Sequence, residues 1–203
     1  IIVSTVFLWV TLSAFSQTAE LTNGWKLSPL GRRITLGDLP MHMVIDPSGK
    51  FAVVSNAGQS DQSLMVIDLA SEKVVDSMPV KMTFYGMAFN RSGTELYSSG
   101  GNMNYVGHYG FNEGKLKWIY SIGIKEAWPE KVSPTGMVMG AENKSLFFAT
   151  KEDSNLYQVN IVNGAVMGKW HLPSEGYCVV KDNLGRIFVS HWGDESVGVF
   201  DTK

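Results

Sequence analysis

The sequence predicts an all-β fold of the β-propeller class, and three observations predict it. Segments of one pattern recur at blade spacing, short runs rich in Val, Ile, Phe and Tyr alternate with turn residues, and helical periodicity is nowhere sustained. Four segments align: MVIDPSGKFAVVSN from Met43, MAFNRSGTELYSSGG from Met87, MVMGAENKSLFFATK from Met137 and CVVKDNLGRIFVSHW from Cys178, with starts 44, 50 and 41 residues apart. A second set follows each of them: SLMVIDLASEKVV from Ser63, YVGHYGFNEGKLK from Tyr105, NLYQVNIVNGAVM from Asn155 and SVGVFDTK from Ser196. Each period thus carries two hairpins. Four antiparallel strands in about forty to fifty residues is the unit of a propeller blade.

Taken in order, residues 1–16 are an apolar run without a charge, with Ala14 and Ser16 at the −3 and −1 positions before Gln17. The run is short for a bilayer span and reads as a signal peptide shortened at its N-terminus, which implies a secreted or periplasmic protein. A buried core helix is the alternative, and no lipobox cysteine follows. Residues 17–30 read as a linker and 31–203 as a partial propeller, with blades starting near residues 41, 85, 135 and 176. The first hairpin of each blade turns at Pro47-Ser48-Gly49, Arg91-Ser92-Gly93, Glu142-Asn143-Lys144 and Asn183-Leu184-Gly185, placing Gly or Asn where φ is positive. The second turns at Ala70-Ser71-Glu72, Asn112-Glu113-Gly114 and Val162-Asn163-Gly164. Arg33 to Gly37 reads as an outer strand that completes the last blade of a closed ring. A ring of about seven such blades needs roughly three hundred residues, so the 203 present are expected to hold about four blades of a longer protein.

Composition removes several functions. Seventeen Lys and Arg against 19 Asp and Glu give a net charge of −2, which leaves no broad basic surface for nucleic acid. Cys178 is the single cysteine, so neither an intrachain disulfide nor a zinc site of paired cysteines is available. His42, His108, His171 and His191 never fall at metal-ligand spacing, and no cofactor motif is identifiable: P-loop, GxGxxG, GxSxG and HExxH are all missing. Ser133-Pro134-Thr135-Gly136 reads as a structural loop, and the sequons at Asn90 and Asn143 coincide with hairpin turns. Met43, Met65, Met87, Met137 and Met139 read as filling between blades.

The matches Val53 to Asn56, Val66 to Asp68, Ala88 to Gly93 and Phe200-Asp201-Thr202 resemble the YVTN-type β-propeller repeat, from about Gly31 to Lys203. Blade two departs from it at His108-Tyr109-Gly110. The segment NGWKLSPLGRRITLGDLP from Asn23, together with SNAGQ, SSGGN, ATKEDSNLY and SHWGDESVGVFDT, also resembles YncE-like secreted bacterial propellers, particularly those fused to a C-terminal phosphoesterase of the alkaline phosphatase superfamily. In that family the metal ligands and nucleophile belong to the C-terminal domain. The resemblance therefore implies a non-catalytic binding or scaffold module here, within a polypeptide that as a whole is a hydrolase. The alternative is a propeller enzyme of lactonase type, with its site near the axis.

Topology locates the site to look for. In an up-and-down blade, the loop leading into the inner strand and the loop leaving the second strand share one end. That end gathers Gly37 to Pro40, Thr83 to Tyr85, Trp128 to Thr135 and Ser174 to Tyr177, with Asn56 to Gln62, Gly100 to Asn104, Lys151 to Asn155 and His191 to Glu195. These loops are longer than the turns opposite, and they are expected to engage a small molecule, a protein or the phosphoesterase domain. The candidate ligand-binding residues are Asn56, Gln59, Tyr85, Asn102, Lys151, Glu152, His191 and Trp192. Each also has a structural reading: the asparagines as turn partners, Tyr85 and Trp192 as packing between blades, Lys151-Glu152-Asp153 as a solvated charge run, and His191 as a hydrogen-bonded imidazole.

Overall fold

The computed structural model describes residues 19–27, 31–125 and 129–201, so the signal-peptide segment lies outside the described residues. It divides into a short N-terminal unit through Arg33 and a main unit from Ile34. In the first, β1 (Ala19–Glu20) pairs antiparallel with β2 (Lys26–Leu27) around a turn in which Asn23 Oδ1 accepts from the Trp25 amide at 3.0 Å.

The main unit is a run of antiparallel sheets in sequence order, and each sheet is a blade. Blade 1 holds β3 (Pro40–Ile45), β4 (Phe51–Asn56), β5 (Ser63–Asp68) and β6 (Lys73–Pro79). Blade 2 holds β7 (Met87–Phe89), β8 (Glu95–Ser99), β9 (Tyr105–Asn112) and β10 (Lys115–Gly123). Blade 3 holds β11 (Pro134–Met139), β12 (Ser145–Thr150), β13 (Asn155–Asn160) and β14 (Val166–His171). Blade 4 has three strands, β15 (Glu175–Lys181), β16 (Ile187–Trp192) and β17 (Val197–Phe200). The fold is an all-β propeller. Arg33 to Gly37, expected as a strand, joins no ladder; Ile34 and Leu36 instead pack on Ala52, Val54 and Ile67 of blade 1.

Successive side chains of a strand point to opposite faces, and in blades 2 and 3 both faces are covered. Leu96 packs toward Val53, Leu64 and Val66 of blade 1, whereas its neighbour Tyr97 packs toward Met137, Leu146 and Phe148 of blade 3. Phe147 and Ala149 then turn to Val179, Ile187 and Val189 of blade 4. This is why Leu146 to Ala149 reads as an unbroken apolar run rather than an alternating one. Met87, Met137 and Met139 lie in these interfaces, but Met43 is 56% exposed, on the free face of blade 1.

The turns follow from local chemistry. Gly49, Gly93, Asn143 and Gly185 all have positive φ. Asp46 Oδ1 accepts from the amides of Lys50 (2.9 Å) and Phe51 (2.7 Å), Asn90 Oδ1 from Thr94 and Glu95, and Asp182 Oδ1 from Leu184 and Arg186. Burial works against ionisation of Asp46, but hydrogen bonds from Ser48, Phe51 and Lys50 outweigh it and hold the carboxyl below its ordinary value.

The inner strands approach one another at two glycines. A Cβ on Gly86 would stand 1.7 Å from the Thr135 carbonyl oxygen, and one on Gly136 would stand 2.5 Å from that of Tyr177. Both obstacles are backbone of the next blade, which cannot swing aside. Gly86→Ala is therefore expected to cost about 1–3 kcal/mol in denaturant unfolding. Gly123→Ala, where an added Cβ meets nothing within 4 Å, is the control and leaves the midpoint nearly unchanged.

Candidate functional site

The loop-rich end is held by side chains that strap one blade to the next. Asp38 Oδ2 accepts from the Gln59 amide at 2.9 Å and fixes the loop after β4. Gln62 Nε2 donates to the Gly58 carbonyl (3.2 Å) while its Oε1 accepts from the Thr83 amide (2.7 Å), joining blade 1 to the approach of blade 2. Asn104, fully buried at φ 57°, donates from Nδ2 to Glu130 O (2.6 Å) and accepts on Oδ1 from the Val132 amide (2.8 Å), joining blade 2 to blade 3. Thr135 Oγ1 donates to Gly176 O (2.8 Å), joining blade 3 to blade 4.

Between these straps lies a cavity of about 240 Å³. Its apolar wall includes Leu39, Met41, Met82 and Phe84, and its polar groups include Asn102, Lys131, Lys151 and Glu152. Glu152 Oε1 accepts from Ser133 Oγ at 3.0 Å. A wider depression of about 760 Å³ beside it, lined by Gln59, Asp61 and Lys81, shares Ala57, Gln62 and Met82 with the cavity.

An aromatic row runs alongside. His42 lies 4.5 Å from Tyr85 between ring centres, Tyr85 stacks on Tyr177 at 4.6 Å, and Tyr177 meets the edge of Trp192 at 5.0 Å. Phe84, from the cavity wall, packs edge-on against Tyr177, and the Lys151 ammonium sits 5.8 Å from the Trp192 ring centre. Burial, followed by the neighbouring Cys178 thiol, pushes the Tyr85 phenol up to about 12, so it remains a protonated donor at neutral pH.

Of the residues singled out from the sequence, Asn102, Lys151 and Glu152 meet in the cavity, and Tyr85 and Trp192 belong to the aromatic row. Gln59 lines the adjoining depression. Asn56 and His191 are placed elsewhere. Asn56 is fully buried beneath Gly37, with Nδ2 donating to Ser63 Oγ at 3.2 Å. The His191 side chain is 1% exposed, with Nδ1 2.8 Å from Ser196 Oγ. Ser196 gives its one proton to Asp194 Oδ2, so Nδ1 of His191 is the donor in that contact and the imidazole does not activate the hydroxyl. Sequence reading passed over Tyr177, Phe84 and Lys131. A signal for Tyr177 existed: Tyr85 and Tyr177 stand two residues before Met87 and Val179, which pair with Ser98 and Val189 at the same step of their blades.

The departure of blade two at His108 is a buried cluster, not a cavity. The imidazole stacks on Tyr97 at 4.5 Å and meets Tyr120 edge-on at 4.8 Å, with Nε2 3.5 Å from Glu95 Oε1 and outside hydrogen-bond geometry. Among the described residues no cluster of three or more His, Cys, Asp or Glu stands close enough to hold a metal ion, and no helix is long and apolar enough to cross a membrane.

No protein-family profile matches the chain, and no curated protein matches its sequence. Solved structures do match in fold. Hydrazine synthase of Kuenenia stuttgartiensis shares 16% identity at a TM-score of 0.66, over 85% of this chain and 48% of that one. The Cps50 (Swd1) β-propeller domain of Myceliophteria thermophila shares 11% at 0.65, over 81% and 54%. The periplasmic gluconolactonase of Pseudomonas aeruginosa shares 14% at 0.58, over 84% and 68%. This chain thus spans about half to two thirds of the structures it matches. At these identities the likeness is one of fold. The class that fold and site define is a β-propeller with a cavity at its loop-rich end.

Two outcomes are expected from this geometry. His191→Ala empties a buried site and removes the imidazole's bond to Ser196, costing on the order of 2 kcal/mol of unfolding free energy, whereas Trp192→Ala, at a residue 57% exposed, leaves the denaturation midpoint nearly unchanged. The second concerns pH. Burial lowers the imidazole pKa of both His42 and His108, and at His108 the Glu95 carboxylate opposes this without overcoming it. The unfolded chain then takes up these protons first, so their contribution is complete above about pH 6.5 and is lost as pH falls toward the lower folded values. Urea midpoints measured from about pH 7.5 to pH 5 should fall across the lower half of that range; a flat profile contradicts the assignment.

Proposed function

We propose that this chain is a binding module whose recognition surface is the loop-rich end, and that it serves as the propeller part of a longer, exported, YncE-like polypeptide. The observation that carries the binding role is convergence: three blades and the segments joining them supply the walls of one cavity, and the aromatic row beside it adds the fourth. The longer polypeptide is supported by the outer faces of the terminal blades. Met43 and Ile45 on blade 1, and Val180, Val197 and Val199 on blade 4, are each more than half exposed and apolar, as suits sheets that pack against further blades. An associated phosphoesterase domain belongs to the same reading and rests on the resemblance of the repeat segments.

The coding sequence around this chain tests the architecture. Further blades followed by a domain with clustered Asp and His are expected; ring closure followed directly by a stop codon rules out the fused phosphoesterase. The complete propeller, assayed on aldonolactones with and without divalent metal, is expected to give no turnover above background. Metal-dependent hydrolysis there overturns the non-catalytic role.

A further inference from the structure

We propose that the cavity at the loop-rich end selects a small organic anion built on a single ring, with Lys131 and Lys151 holding its charged group; this rests on the reading of that cavity as the binding site. The first support is charge. The Lys151 amide donates to the carbonyls of Val132 (3.0 Å) and Ser133 (3.1 Å), so the backbones carrying Lys151 and Lys131 run side by side, and both lysines line the one cavity. Among the described residues neither lysine has a carboxylate within ion-pair distance, in contrast to Lys115, Lys125, Lys144 and Lys169. The one acidic side chain in the lining is Glu152, which already takes a proton donor from Ser133. Two cations against one engaged carboxylate leave the cavity net positive.

The second support is shape. Met41, Met82 and Phe84 supply apolar surface in the same lining, and a volume of about 240 Å³ accommodates one substituted six-membered ring rather than two. Polar groups with bonding capacity to spare are the Asn102 amide, for a ring hydroxyl or carbonyl, and the second oxygen of Glu152. Gln62 is already committed at both ends. A carboxylate between two ammonium groups gains charge-assisted hydrogen bonds, and the flat ring covers apolar surface. Aromatic acids and cyclic sugar acids share this chemistry.

Four probes separate the terms: benzoate and D-glucuronate as anions, benzamide and methyl β-D-glucopyranoside as their uncharged counterparts. Each is titrated into the chain by calorimetry and by tryptophan fluorescence, since Lys151 lies over the Trp192 ring and movement of its ammonium changes that emission. At least one anion is expected to bind about tenfold more tightly than its counterpart, with affinity falling as salt is raised. Lys131→Gln and Lys151→Gln should each weaken it about tenfold and leave the neutral probe unaffected. The ring chemistry preferred, aromatic or saccharide, identifies which source is recognised. Equal binding of anion and counterpart in the unaltered chain overturns the anion selectivity while the cavity stands as a site, a result that needs no variant to fold. Binding of none of the four overturns the proposal and the cavity reading together.

Discussion

The close approach of adjacent inner strands is the constraint on which the remaining geometry depends. At Gly86 and Gly136 the chain of one blade lies so near the next that the space for a Cβ is filled by carbonyl or Cα atoms. Blade 3 also carries Thr135 at the step where blades 2 and 4 carry Tyr85 and Tyr177, and its hydroxyl turns away to Gly176 O. With only a small side chain on the intervening blade, the two tyrosines stack although their blades are not neighbours. The aromatic row and the cavity wall it adjoins are thus consequences of residues that are small.

Packing between blades explains why so much of this fold was legible. A blade interior buries both faces, so β4 and β12 carry unbroken apolar stretches, Phe51 to Val54 and Leu146 to Ala149, while β8 buries Leu96 and Tyr97 on opposite faces. Turns were equally readable, because Asp46, Asn90 and Asp182 each satisfy the amides of the loop that follows, a local interaction written in adjacent residues. Blade 3 has Gly140 at that step and solves the problem differently. Its hairpin closes through a 3₁₀ turn, Ala141–Asn143, and Asn143 Oδ1 accepts from the Arg91 amide of blade 2. Arg33 to Gly37, read as the outer strand of a further blade, pairs with no strand here. Its apolar residues promised a strand, yet Ile34 and Leu36 bury themselves on a sheet face rather than along an edge, and apolar content alone does not distinguish the two.

The site was legible in its location more than in its members. Strand order alone assigned the loops to one end, and Asn102, Lys151 and Glu152 do share a cavity there. His191 attracted notice because it neighbours Trp192 and Asp194 in sequence. In a strand, however, consecutive side chains leave on opposite faces, so an exposed Trp192 places His191 inside the sheet, where Ser196 meets it. Asn56, the last residue of β4, is buried for another reason: this strand is covered on both faces, so Ser55 and Asn56 are equally enclosed. Tyr177 escaped because its partner Tyr85 lies 92 positions earlier in the chain, a contact visible only once the repeat is superposed on itself.

The two ends of the propeller differ in how their backbone groups are satisfied, and this difference bears on recognition. At the short-turn end most hairpins bond within themselves, which leaves their backbone groups little polar capacity. At the other end the loops are too long for that, and their amides and carbonyls are met by Asp38, Gln62, Asn104 and Thr135 reaching across from neighbouring segments or blades. Such straps remove the freedom that long loops otherwise keep, so a ligand entering between them has less disorder to overcome. They also consume the hydrogen-bonding groups nearest the backbone. Under the proposed binding role, selectivity falls to the side chains that the straps leave over, which are long, charged or aromatic: Lys131, Lys151, Glu152 and Trp192.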